Sequence, residues 1–208
     1  DIHAVFFNDD YEPYARKRDT IIKETLQKRG ILVQKFHDQI IFPPGKILKD
    51  DGKPYTVYTP FSRKWIESLE DSSLEPCPSE TLLANCLHSQ NDNWPALDAM
   101  GFTKTTYLLP EPRLDEELLA AYEKNRDIPC LDGTSRIGPH LRFGTISIRK
   151  AMAAAHKNSL TFMKELIWRE FFFQIMWFFP HVIDSSFKAA YDRIEWINDP
   201  NDFERWAE

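Results

Sequence analysis

From Phe162 to Phe179, apolar and aromatic residues recur on almost every side of what reads as a single helix. Such a helix cannot lie on a surface with one face in water, so the chain around it must supply further elements to bury it. Its most apolar part, Phe171 to Ile183, is broken by Gln174, Pro180 and His181. That part is also shorter than the ~20 residues a membrane span needs, and it reads as a buried helix end. Helical spacing continues upstream, over Leu118 to Tyr122 and Ile146 to His156, so the chain from Glu116 onward is expected to be all-helical.

The first part follows a different period. Ile2 to Phe7 is a short apolar run ending at Asn8-Asp9-Asp10, as for a buried strand entering a turn. A helix follows, with Pro13 in its first turn, apolar Ile21, Ile22 and Leu26 at helical spacing, and Gly30 at its C-terminal cap. Ile31 to Phe36 then reads as a parallel strand, completing a βαβ unit whose further strands must come from elsewhere. After the turn-rich stretch from Phe42 to Gly52, Tyr55 to Phe61 leads into a helix with Thr59 as cap, Pro60 at its first position, and Trp65 and Leu69 inward. Between Glu70 and Asp115 prolines stand among Ser, Asn and acidic residues with little periodicity, as in a connector. The expected fold class is α/β followed by all-α, over residues 1–70, 71–115 and 116–208.

The 208 residues are 42% hydrophobic and 13% aromatic, enough for a globular core, and the net charge of −6 argues against a generally basic nucleic-acid binder. From Tyr122 to Glu170, however, nine Lys or Arg stand against five Asp or Glu, so an anion-binding face is expected there. Cys77, Cys86 and Cys130 form no CxxC pair and fit neither a disulfide framework nor a zinc site. Reduced thiols and no metal are expected.

Two runs inside the basic segment carry candidate chemistry. Gly133-Thr134-Ser135-Arg136-Ile137-Gly138 places a glycine, two hydroxyls and a guanidinium ahead of a helix start, where free backbone N–H groups suit a phosphate. Taken alone, such a turn is usually only a helix cap. In Glu165-Leu166-Ile167-Trp168-Arg169-Glu170-Phe171, helical spacing puts Glu165, Trp168 and Arg169 on one face. Taken alone, that is an i, i+4 ion pair beside a core tryptophan.

Both runs, in this order, resemble the flavin domain of the DNA photolyase and cryptochrome family, nearest to class I enzymes for cyclobutane pyrimidine dimers. Asn8, Tyr11-Glu12-Pro13, Arg18-Asp19, the Pro43-Pro44-Gly45 turn and Tyr55 to Phe61 with Trp65 resemble the second half of that family's Rossmann-like antenna domain. The resemblance implies FAD as cofactor, held by Tyr122, Thr134, Ser135, Arg136, Ile137, Gly138, Phe162 and Arg169. Gly138 stands where a serine is common, leaving only its backbone N–H for a phosphate. An antenna chromophore such as a folate or deazaflavin is implied as well, with Asn8 and Glu12 as candidate contacts.

The implied activity is that of a deoxyribodipyrimidine photo-lyase acting on damaged DNA, in which photoexcited reduced FAD lends an electron to a flipped-out dimer. Glu165 would bond the dimer's carbonyl edge and Trp168 would stack on it, while Arg126 would hold a flanking phosphate. Arg169 and Phe172 belong to the same DNA-facing helix, and Trp196 matches the outer end of a tryptophan electron path. The resemblance further implies a monomer, cytoplasmic and nucleoid-associated in a bacterium or nuclear in a eukaryote, with no membrane partner. The sequence starts at Asp1 and stops ahead of the family's remaining flavin segment, so an internal fragment, inactive alone, is expected. Rival expectations are a cryptochrome-type photoreceptor, a (6-4) photolyase, for which Gln is usual at the Glu165 position, and a non-flavin helical interaction module.

Overall fold

The structure is a computed structural model that describes residues 2–75, 78–86 and 95–207. Pro76 and Cys77 of the connector lie outside the described residues. Strand β1 (Ala4–Asn8), helix α1 (Pro13–Gln27) and strand β2 (Leu32–Phe36) form the βαβ unit, with the strands parallel and Val5 opposite Val33. Pro13 opens α1, where a missing N–H costs nothing, and Gly30 closes it at φ 74, a conformation that suits glycine.

Ala15 and Asp19 are the buried residues of α1, whereas Ile21 and Ile22 are exposed. The helix is drawn toward the helical part: the Arg16 guanidinium lies 3.8 Å over the Trp177 ring and donates to the Trp177 carbonyl at 3.2 Å.

Helix α2 (Tyr58–Glu67) begins before the expected cap. Val57 takes the capping position, and Thr59 and Pro60 lie inside the first turn. Proline is tolerated there because first-turn N–H groups have no intrahelical acceptor. The earlier start is favoured by Tyr58 itself, whose hydroxyl donates to the Lys164 carbonyl at 2.8 Å.

After short 3₁₀ turns at Asp71–Leu74 and Ser79–Asn85, helices follow as α3 (Glu116–Asn125), α4 (Gly138–Arg142), α5 (Ile148–Asn158), α6 (Leu160–Phe178) and α7 (Pro200–Ala207). Three of them start on side-chain caps: Asp115 accepts from Leu118 N, Ser147 from Arg149 N and Ser159 from Phe162 N. Each such cap is worth roughly 1 kcal/mol. On α5 the stripe Ile148, Ala151, Met152 and Ala155 is buried at i, i+3, i+4 and i+7 against α6 and α3. Ile41, Phe42, Phe61 and Trp65 enter the same core as the helices, so the segment after β2 packs against α6. No helix among the described residues is long and apolar enough to cross a membrane.

Candidate functional site

The turn between α3 and α4 is built on Gly133. A Cβ there would lie 2.7 Å from Asn125 Cβ and 2.9 Å from the Asn125 carbonyl oxygen, so no larger residue fits. The next residues alternate. Thr134 is exposed, Ser135 is buried and its carbonyl accepts from Arg113 N at 2.8 Å, and Ile137 is buried in the core. Arg136 sits at φ 54, a left-handed conformation that non-glycine residues adopt only at a cost. Its guanidinium donates to Asp132 at 2.6 Å, and Arg113 holds the same carboxylate at 3.2 Å.

Gly138 opens α4 with free space where a Cβ would be, beside a cavity of about 340 Å³ lined by Gly138, Arg142, Arg169, Phe172, Phe173 and Met176. Two guanidinium-bearing residues and three apolar side chains at one helix start suit a ligand with a flat ring and a phosphate. On the far side of the turn, Tyr122 meets buried Phe162 edge-on at 4.9 Å. Burial raises the Tyr122 hydroxyl pKa.

Helix α6 separates residues that its spacing puts on one face. Glu165 forms an ion pair with Arg126 of the α3 C-terminus, and Arg126 also donates to Asp127 at 3.2 Å. The bond to Glu165 pushes the Arg126 guanidinium pKa up. Trp168 stacks face to face on Tyr58 at 3.6 Å, and exposed Phe172 lies 5.5 Å along. Arg169 turns away from both: it donates to the Gln39 carbonyl at 2.5 Å, lies 4.7 Å over Phe173, and has its pKa lowered by burial. No i, i+4 pair joins Glu165 to Arg169 among the described residues; each has a partner more than thirty positions away.

Glu170, which sequence reasoning left without a role, is the most elaborated group on the helix. Only 2% exposed, it accepts from Ile41 N at 2.9 Å, Phe42 N at 3.0 Å and Trp65 Nε1 at 2.7 Å. Burial pushes its carboxyl up to about 7 against these three donors. The available signal was a carboxylate set directly before the apolar run Phe171-Phe172-Phe173, since a buried charge requires partners.

A second cavity, about 250 Å³, opens where β1 and β2 end and is bordered by Asn8, Asp38, Gln39, Arg142, Ser147 and Arg169. The carboxyl ends of parallel strands are where α/β units take ligands. Asn8 donates to Asp38 at 3.3 Å, Arg149 pairs with Asp38 at 3.3 Å, and Glu12 pairs with Arg142 at 3.1 Å. Much of the positive excess between Tyr122 and Glu170 is thus met by acids from outside that segment. Trp196 is 72% exposed in an irregular stretch before α7. Cys86 and Cys130 are exposed and free, and no potential metal-binding cluster occurs among the described residues.

Fold and cavities together define a parallel α/β unit joined to a helical domain, with an arginine-rimmed aromatic cavity in the latter. Comparison with known proteins places this combination. Residues 1–80 match the DNA photolyase family and residues 162–208 match the FAD binding domain of DNA photolyase. The deoxyribodipyrimidine photo-lyase of Halobacterium salinarum is 33% identical over 232 aligned positions, covering 100% of this chain and 48% of that protein. That of Synechococcus is 31% identical, covering 99% and 48%. An archaeal photolyase structure from Sulfolobus tokodaii, described with two FAD molecules and a novel light-harvesting cofactor, superposes with a TM-score of 0.65 at 25% identity, covering 98% of this chain and 45% of that one. A bacterial class III photolyase from Agrobacterium tumefaciens shares the fold with a TM-score of 0.69 at 24% identity, covering 98% and 46%. The chain belongs to the DNA photolyase family, and it spans about half the length of the curated relatives it matches.

Proposed function

We propose that the full-length protein is a flavin-dependent photolyase that splits cyclobutane pyrimidine dimers in DNA. The observation that carries this reading is the Arg126–Glu165 pair beside Trp168 on α6, with the cavity at Gly138 further along the same helix, reached through Phe172. A carboxylate, an indole and a guanidinium then meet a base pair's worth of chemistry: a polar carbonyl edge, a ring face and a phosphate.

FAD fits the residues present. Gly138 N–H, Arg142 and Arg169 would hold the phosphates and Phe172 and Phe173 would face a ring, with Tyr122 and Phe162, in contact with each other, as further contacts from α3 and α6. The chemistry supplied when it is bound is a light-driven electron. The chain's own contribution is positional and electrostatic: Trp168 orients the extruded dimer, and Glu165, acting as a carboxylic acid once Arg126 has left it, donates to the dimer's carbonyl as negative charge develops there. Arg126 must exchange Glu165 for a DNA phosphate. Asn8 and Glu12 border the cavity at the strand ends or pair across it, and an antenna chromophore is assigned to that side.

The test is illumination of the reduced full-length protein with an oligonucleotide carrying one dimer. Light-dependent recovery of intact pyrimidines is expected. Stoichiometric binding of the damaged strand with no recovery in light would overturn the reading.

A further inference from the structure

We infer that Tyr58 is a positioning residue that backs the Trp168 indole and presents one face of it to an extruded base. The inference rests on the assignment of Trp168 to dimer binding. The phenol ring lies 3.6 Å from the indole at an interplanar angle of 7°, a face-to-face stack. Its hydroxyl donates at 2.8 Å to the Lys164 carbonyl, one helical turn before Trp168. The side chain is therefore tied to α6 at both ends, by its ring to the indole and by its oxygen to the backbone beneath.

Two features keep this backing rigid. Helix α2 is anchored seven residues further on by the bond from Trp65 Nε1 to Glu170, so Tyr58 cannot drift from α6. Phe171 meets both rings edge-on, at 5.9 Å from Tyr58 and 5.7 Å from Trp168, and packs against the side of the stack. The hydroxyl stays protonated and able to donate, pushed up to about 12 by burial and then by the charge of Glu165.

Tyr58 covers one indole face, and exposed Phe172 flanks the ring 5.5 Å away at an interplanar angle of 23°, so a base must stack from the side that Tyr58 leaves, beside Phe172, on a ring ordered before it arrives. Pre-ordering removes the cost of fixing a mobile side chain on binding, which otherwise subtracts from affinity. Tyr58 comes from the segment after the β strands, not from the helical part that carries Glu165 and Trp168, so the stacking wall is shared between the two.

The experiment compares the full-length, flavin-loaded protein with Tyr58→Leu and Tyr58→Phe, titrating dimer-containing DNA and a matched undamaged strand. Tyr58→Leu keeps apolar bulk without a ring and is expected to weaken dimer binding about 2- to 10-fold while leaving undamaged DNA unchanged. Tyr58→Phe restores the ring and is expected to recover most of that selectivity. Should the leucine variant not fold, Tyr58→Met takes its place as the ringless side chain. Equal loss on both DNAs, no loss in the ringless variant, or no recovery with phenylalanine would each overturn the inference. Trp168→Ala separates the two levels: if it leaves dimer affinity intact, the assignment of Trp168 and this inference both fall. If it weakens binding but the ringless Tyr58 variant does not, this inference alone falls.

Discussion

Glu170 receives the indole N–H of Trp65 at 2.7 Å across 105 residues of sequence, and the same carboxylate holds the backbone of Ile41 and Phe42. One buried group thus joins α2, α6 and the irregular segment after β2. Gln174, one turn on, reaches the Phe42 and Pro43 carbonyls at 3.5 Å. This side of α6 acts on the segment's unpaired backbone as a neighbouring strand would.

Glu170→Ala is expected to destabilise the full-length protein by roughly 3 to 5 kcal/mol, because three buried N–H donors lose their acceptor. Its folded pKa of about 7 lies above the ordinary 4.5. The stability linked to that shift is fully present below the unfolded value and is lost as pH rises through the folded one. The unfolding free energy from denaturant titrations should therefore fall between about pH 5 and about pH 8, by an amount on the order of 3 kcal/mol, and Glu170→Gln should flatten that slope. An unchanged slope in the glutamine variant would assign the dependence to other groups.

The Arg126–Glu165 pair separates affinity from chemistry. Glu165→Ala frees Arg126 for phosphate, so DNA affinity should hold or rise while repair per absorbed photon falls. Arg126→Gln should weaken damaged and undamaged DNA alike and make log affinity against log salt shallower by about one. Binding isotherms at several salt concentrations, with repair yields alongside, decide it. A Glu165→Ala protein that loses affinity as strongly as Trp168→Ala would count against this division.

At the α3–α4 turn, Gly133→Ala should cost roughly 1 to 3 kcal/mol, since its methyl overlaps Asn125 and the turn must shift. Arg136→Gly relieves the left-handed strain and should leave the unfolding midpoint unchanged or higher. If Arg136 contacts flavin phosphates, the same variant should retain less FAD through gel filtration. A lowered midpoint with full flavin content would show the side chain to be structural.

Trp196 is exposed, so Trp196→Phe should alter stability by no more than about 0.5 kcal/mol. Phenylalanine is far harder to oxidise. Photoreduction of oxidised flavin should slow, while repair with chemically pre-reduced protein stays intact. Flash photolysis of both flavin states checks this, and unchanged photoreduction would remove Trp196 from any electron path.

The βαβ unit, the helix from Leu160 to Phe178 and the turn at Gly133 were legible in the sequence because each is governed by local chemistry: period, caps and a glycine with no room for a side chain. Which residues of α1 are buried was not legible, because helical spacing shows that an apolar stripe exists, not which face the packed chain covers. The start of α2 was misplaced because Tyr58 is drawn into the first turn by a carbonyl 106 positions away.

The sequence by itself determined which residue types would be gathered on α6 and in the turn before α4, since helical spacing and backbone conformation depend on near neighbours. Tertiary structure alone decided their partners: Arg126 for Glu165, Tyr58 for Trp168, Gln39 for Arg169, and Trp65 with two backbone amides for Glu170. The physical reason is that a buried charge or ring accepts whichever complementary group the packed chain brings within about 3 to 4 Å, and nothing in local periodicity encodes that encounter.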